Sequence, residues 1–227
     1  MASLTWFGHA TWSLAVDGVT ILIDPFLDHN PSAPVKAADV KADFILITHG
    51  HEDHTADLVS IAKRTGAAVV CNWEIHQWLQ GKGVTNTLPM NLGGMITLPF
   101  GRVKMTLAFH SSSLPDGTYA GNPSGYLLLL NNNKRLYFAG DTALFSDMEL
   151  IGRVGLDLAV LPIGDVFTMG IADSLAALDL LMPKRVLPSH YNTWPSIAQD
   201  AVAWATEVGH ETNAEPVILK PGESVSL

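Results

Sequence analysis

The chemistry of this chain is concentrated in DFILITHGHEDHTAD, residues 43–57, where His49, His51, Asp53 and His54 fall within six positions. Imidazole and carboxylate are the ligands that Zn, Mn and Fe take readily. One histidine alone is ordinarily a surface or core residue. Four ligand-type groups in one turn would strip one another's hydration and repel when charged, unless a cation held them. Three more candidates stand far along the chain, each just past an apolar strand-like run: His110, Asp141 and His190. Brought together, five imidazoles and two carboxylates suffice for two cations. Two such ions, roughly 3.5 to 4 Å apart, can activate water at neutral pH and polarise the oxygen of a scissile bond.

The elements that must carry these groups are read from periodicity. Phe44 to Ile47 is a short apolar strand, ended by Thr48. Before it, Ser3–Phe7, Trp12–Val16 and Val19–Ile23 read as strands, with Asp17-Gly18 as a hairpin turn between the last two. Leu58, Ile61 and Ala62 recur at helical spacing within 56–65, then Ala67–Cys71 reads as a strand and Trp73–Leu79 as a helix capped by Asn72. Further strands are expected at Met95–Leu98, Arg102–Phe109, Tyr126–Leu130, Arg135–Ala139, Leu156–Pro162, Arg185–Pro188 and Glu215–Lys220, and helices at Ile171–Leu181 and Ser196–Val208. His110, Asp141 and His190 each follow one of these strands, where the backbone bends freely while the strand behind holds position. The alternation suits a two-sheet sandwich with helices outside, and no linker divides residues 1–227, so a single domain is expected.

Other residues have two readings. His9, in Gly8-His9-Ala10, is a turn residue or faces a pocket, and Asp24, before Pro25, is a turn cap or a functional group. Thr48, Thr55 and Asp57 are the nearest polar residues able to fix imidazole tautomers, or they cap turns. His76, beside Trp78 in a helix, is structural. The loops at 29–39, 111–125, 164–170 and 191–195 would rim a site. Tyr119, Phe167, Met169, Tyr191 and Trp194, with Asn192, make their wall apolar and weakly charged.

Composition narrows the class. The formal charge is −9, which disfavours nucleic acid and anionic membranes as partners, although a pocket can invert the local sign. Cys71 is the single cysteine, which excludes an intrachain disulfide and a thiolate zinc knuckle. The start, MASLTWFGHATW, lacks a basic region followed by a long apolar run, and no apolar run reaches the ~18 residues of a membrane span. A cytoplasmic protein with a small-molecule substrate is expected, as a monomer or a homo-oligomer.

The spacing HGHEDH resembles the HxHxDH signature of the metallo-β-lactamase-like hydrolases, and His110, Asp141 and His190 follow in that family's order. AGDTALFSDM (139–148), LPIGDVFTMG (161–170) and HYNTWP (190–195) are similar to the UPF0173 metal-dependent hydrolases, relatives of the ascorbate-6-phosphate lactonases. Gly8-His9-Ala10 and Asp24 match that group's GHA element and its early strand-end Asp. The resemblance implies an α+β fold, a four-layer αββα sandwich. It also implies a first metal on His49, His51 and His110, a second on Asp53, His54 and His190, and Asp141 bridging both. Asp24 would support the metal loop. Asp53 would orient the nucleophile, and His9 or His190, or water, would protonate the leaving group. The lactonase relatives use manganese, and zinc is commonest across the superfamily, with iron possible. The flavodiiron reductases of the same superfamily place Glu where this chain has His51, so hydrolysis of a phosphodiester or lactone is the expectation. An iron-dependent oxidoreductase of the same fold and a non-catalytic metal-binding protein are the alternatives.

Overall fold

The computed structural model describes residues 2–227. They form two compact units, one comprising residues up to Gly94 with Ser111–Pro123 and Leu219–Leu227, the other Met95–His110 and Ser124–Ile218. Each unit is built on one seven-stranded mixed sheet, so the expected α+β class is observed.

In the first unit the sheet runs Ser224–Ser226, Ser3–Trp6, Trp12–Val16, Val19–Ile23, Phe44–Leu46, Ala68–Asn72, Thr87–Met90. The first four are antiparallel and the rest parallel. The hairpin at Asp17-Gly18 forms with both residues left-handed, φ 52 and 79, the twist a two-residue turn needs. Helices Leu58–Thr65 and Trp73–Gly81 bury Leu58, Ile61, Ala62, Ile75 and Leu79 in a core with Ile45, Val69 and Cys71. Asn72 caps the second helix, accepting from the Ile75 N–H at 2.9 Å.

In the second unit the order is Glu215–Pro216, Arg185–Ser189, Leu158–Pro162, Arg135–Phe138, Ser124–Leu130, Gly101–Leu107, Met95–Leu98. The first four are parallel, the remainder antiparallel. Leu158–Pro162 is buried at every position, as expected of a central parallel strand covered on both faces. Helices Ile171–Leu181 and Ala201–Glu211 meet through the Trp204 indole, which donates to the Ser174 hydroxyl.

Several elements differ from the sequence expectation. The helix expected from Ser196 begins at Ala201, because the Asp200 carboxylate accepts from the N–H groups of Val202 and Ala203, and Pro195–Ile197 makes a separate 3-10 turn. The helix also runs through Gly209 to Glu211. The expected strand Glu215–Lys220 shortens to Glu215–Pro216, with the Val217 N–H making the last ladder bond, to the Val186 carbonyl. Thr87–Met90 is an additional strand that tolerates Pro89 because it is a sheet edge. Ser224–Ser226, Met148–Gly152 and the four-residue helix Glu52–Thr55 are additions too. Among the described residues no helix is long and apolar enough to cross a membrane.

Candidate metal centre

In the first unit the candidate groups gather at the carboxyl ends of the parallel strands, where open sheets leave room for ligands. Ile23 pairs with Leu46, and the Asp24 N–H donates to the Leu46 carbonyl, so Asp24 reaches the level of the Thr48-His49 turn. Asp24 adopts φ 46, an uncommon conformation for a residue with a side chain, and is 1% exposed. Its carboxylate accepts from the Thr48 N–H at 2.8 Å, the Thr48 hydroxyl at 2.6 Å and His54 Nδ1 at 2.9 Å. The Thr48 hydroxyl has thereby spent its proton and offers a lone pair to His49 Nδ1, 3.0 Å away. Both imidazoles are thus held as Nδ1–H tautomers, leaving Nε2 of His49 and of His54 with a lone pair for a metal.

His51 approaches His49 through its Nδ1, 2.9 Å from His49 Nε2, while its Nε2 faces the Ser111 hydroxyl at 3.4 Å. Two imidazole nitrogens this close are donors of the type that a transition metal takes. Asp53 Oδ2 is 2.9 Å from His9 Nε2 and 3.9 Å from His54 Nε2. His9 is fully buried and left-handed, φ 53, in the tight turn closed by Thr11 N–H to Gly8 O. The turn thus sets the His9 imidazole against the loop that carries Asp53.

Of their two sequence readings, Thr55 and Asp57 take the one in which they hold backbone turns. The Thr55 hydroxyl donates to the carbonyls of Gly50 and His51, and Asp57 accepts from the N–H groups of Leu27 and Asp28. Both hold backbone, and neither hydrogen bond reaches an imidazole. Of Thr48, Thr55 and Asp57, Thr48 is the one on an imidazole, together with Asp24. Ser111 and Ser112 were read only as loop. Ser112 accepts from the Gly50 N–H and donates to the Ala120 carbonyl, pinning 111–123 to the metal loop. Gly50 is required there, since a Cβ would lie 2.3 Å from that of Ala120. The hydroxyl run directly after a strand-end histidine was the available signal. His76 is apart from this cluster, its Nδ1 2.6 Å from the Thr87 hydroxyl.

In the second unit strand register does the positioning. Phe138, Val160 and Leu187 are level across three parallel strands, so three residues on, Asp141, Ile163 and His190 leave the sheet at one height. Met105 is level with Phe138 through Tyr126, and its strand continues toward His110 at the same edge. Asp141 Oδ2 is 3.0 Å from His190 Nε2 and 3.6 Å from His110 Nε2. Asp141 and His190 are buried, and His190 is left-handed at φ 54.

The surrounding turns interlock. Thr142 accepts from the Phe109 N–H through its hydroxyl and from the Met169 N–H through its carbonyl. A Cβ on Gly164 would lie 2.2 Å from the His190 carbonyl, so only glycine lets the two turns touch. Of the expected substrate wall in this unit, Phe167 and Trp194 are exposed. Met169 is fully buried and Tyr191 nearly so, its phenol pushed up to about 12 by burial, which places both in the interior. Asn192 accepts from the Gln199 N–H and donates its own N–H to Ile197, so it ties a loop rather than facing a ligand. Tyr119, in the first unit, is exposed.

Residues 19–191 match the model of the Beta-lactamase superfamily domain. A UPF0173 metal-dependent hydrolase of Thermus thermophilus is 50% identical, covering 100% of both chains. One from Bacillus thuringiensis is 46% identical over 99% of each. Among solved structures, Igni18, a metallo hydrolase from Ignicoccus hospitalis, superposes with a TM-score of 0.90 at 38% identity, over 99% of this chain and 97% of that one.

Proposed function

Because the chain belongs to the UPF0173 metal-dependent hydrolases of the β-lactamase superfamily, we propose that it cleaves an ester-type bond, a phosphodiester or a lactone, in a small-molecule substrate, with two divalent ions, zinc or manganese, as its cofactor. Membership makes it a metal-dependent hydrolase with the metallo-β-lactamase fold. The bond, the metal count and the residue roles are our reading, as are a single functional domain over 1–227 and a cytoplasmic site of action.

The observation that carries this reading is the Asp24 network, in which one buried carboxylate, directly and through Thr48, fixes the two imidazoles His54 and His49 as metal-ready tautomers. Such an arrangement is costly in a protein that does not bind metal, since it buries a carboxylate to fix the tautomers of two imidazoles. We keep the ligand set that the family resemblance implies: His49, His51 and His110 for one ion, Asp53, His54 and His190 for the other, Asp141 for both. When bound, the ions supply Lewis acidity and lower the pKa of water. Asp53, held at 2.9 Å by His9, orients the attacking water and keeps its position as charge develops. For protonating the leaving group we keep the three alternatives His190, His9 and water.

Elemental analysis after native purification tests the cofactor, with close to two equivalents of transition metal per chain expected. Zero metal, with no uptake of added Mn or Zn, overturns the reading. A panel of phosphodiesters, phosphomonoesters, lactones, thioesters and β-lactams, assayed with Mn and with Zn, tests the bond. Oxygen consumption by iron-loaded protein that leaves every hydrolytic substrate intact would instead identify an oxidoreductase.

A further inference from the structure

The loops that carry His110 and His190, and the turn at 163–170 tied to Thr142, also carry large apolar side chains open to solvent. Phe109, beside His110, is 55% exposed and rests edge-on against Phe145, with ring centroids 5.5 Å apart. Val166 and Phe167 are 66% and 59% exposed, and Trp194, four residues past His190, is 38% exposed. The turn bearing Val166 and Phe167 is rigidly built. The Asp165 carboxylate accepts from the Val166 N–H, the Asp165 N–H donates to the Met169 carbonyl, and the Thr168 N–H returns to the Asp165 carbonyl. Asp165 and Val166 are both left-handed, φ 60 and 50, and a β-branched residue there is a steric outlier. Strain of this kind persists where the surrounding structure imposes it, and it clusters at ligand-binding positions. The turn is anchored through the Met169 N–H to Thr142, next to Asp141, and through Gly164 to His190. Segments 109–110, 140–147, 163–170 and 190–197 hold no Lys or Arg, so this surface offers no cation to a charged group.

We propose that Phe109, Val166, Phe167 and Trp194 form a specificity wall, and that the substrate bears an uncharged aromatic or bulky apolar substituent beside the scissile bond. This deepens, and rests on, the ester-hydrolase reading. The step remains simple hydrolysis: water oxygen bonds to the carbonyl carbon or phosphorus, the bond to the leaving oxygen breaks, and that oxygen takes a proton.

Rates on the metal-loaded enzyme, followed by proton release, would compare methyl acetate with methyl phenylacetate, benzyl acetate and monomethyl succinate. The same comparison would be made between dimethyl phosphate and benzyl methyl phosphate. Leaving alcohols are of similar basicity within each set, so differences report on the substituent. We expect kcat/KM for the aromatic members to exceed the methyl members by about tenfold or more, the range an apolar pocket provides, with the succinate disfavoured. Phe167→Ala and Trp194→Ala should abolish most of that preference with metal content retained, and Leu150→Ala, at an exposed apolar residue elsewhere, should not. Turnover without the preference, or with the preference intact in both variants, overturns the wall and leaves the hydrolase reading standing. If nothing is turned over, saturation-transfer NMR of phenylacetamide on the same holoenzyme decides. Binding lost in both variants supports the wall against a failed ester reading, and no binding overturns it. Loss of a dimer or higher oligomer in the variants, without change in preference, also overturns it and assigns the face to a second copy of the chain.

Discussion

Replacing Asp24 by Asn tests the centre without touching a proposed ligand. The asparagine keeps the shape but has one acceptor oxygen where the carboxylate has two, and the carboxylate serves Thr48 N–H, Thr48 Oγ–H and His54 Nδ1–H together. If the amide NH2 faces His54 and the Thr48 hydroxyl, it donates to Nδ1 and moves the His54 proton to Nε2, the atom that must bind metal. It also frees Thr48 Oγ from holding the His49 tautomer. If the amide NH2 turns the other way, it opposes the Thr48 N–H, donor against donor. A hydrogen bond to a charged group is worth roughly 1.5–3 kcal/mol, and loss of a partner behind a metal-binding imidazole typically weakens affinity by about 10- to 100-fold. Since one carboxylate stands behind both His49 and His54, Asp24→Asn should weaken retention of both ions by about that factor. Thr48→Val, which leaves the His54 arm intact, should weaken chiefly the ion held by His49. Competition against a chromophoric chelator measures each step, with circular dichroism to confirm folding. Two dissociation constants within about threefold of wild type in folded Asp24→Asn would refute the assigned tautomers.

Asp141→Asn removes the charge proposed to serve both ions. It should leave about one metal equivalent and reduce hydrolysis by orders of magnitude, whereas His76→Ala, which loses its contacts with Thr87 and the Trp73 ring, should keep full metal content by elemental analysis. Gly50→Ala would force a Cβ to within 2.3 Å of the Ala120 Cβ, and overpacking of this kind costs about 1–3 kcal/mol, readable as a lowered Tm. Burial pushes the Cys71 thiol from 9.0 up to about 12, so iodoacetamide should label it only in denaturant. The sign follows from the folded pKa lying above the unfolded one: the contribution is full below pH 9 and is lost as pH climbs from 9 to 12. Urea unfolding should therefore show the stability margin of wild type over Cys71→Ala shrinking across that interval.

Much of the scaffold was legible because its signals are local. The hairpin at Asp17-Gly18, the helix ended by Gly66 and the cap at Asn72 each depend on residues within a few positions of one another. Ser224–Ser226 was not legible, since what makes it a strand is pairing with Ser3–Thr5 at the other end of the chain. Thr87–Met90 was hidden for a related reason: Pro89 argues against a strand until the sheet shows that it lies at an edge. The start of the helix at Ala201 lay in the Asp200 cap, which outweighed the apolar periodicity beginning at Ser196.

The chemistry divides along the same line. The sequence by itself determined the metal-binding character, because ligand softness and charge belong to residue types and four of the groups are packed into one turn. It determined too that His110, Asp141 and His190 stand at strand ends. The family resemblance singled out Asp24, but only the tertiary structure showed which donors it and Asp57 each meet. Asp24 turns onto Thr48 and His54, while Asp57 turns onto the N–H groups of Leu27 and Asp28. A carboxylate accepts from whatever donor the fold brings within 3 Å. For these two, the donors come from 24 to 30 positions away, a distance over which local pattern says nothing.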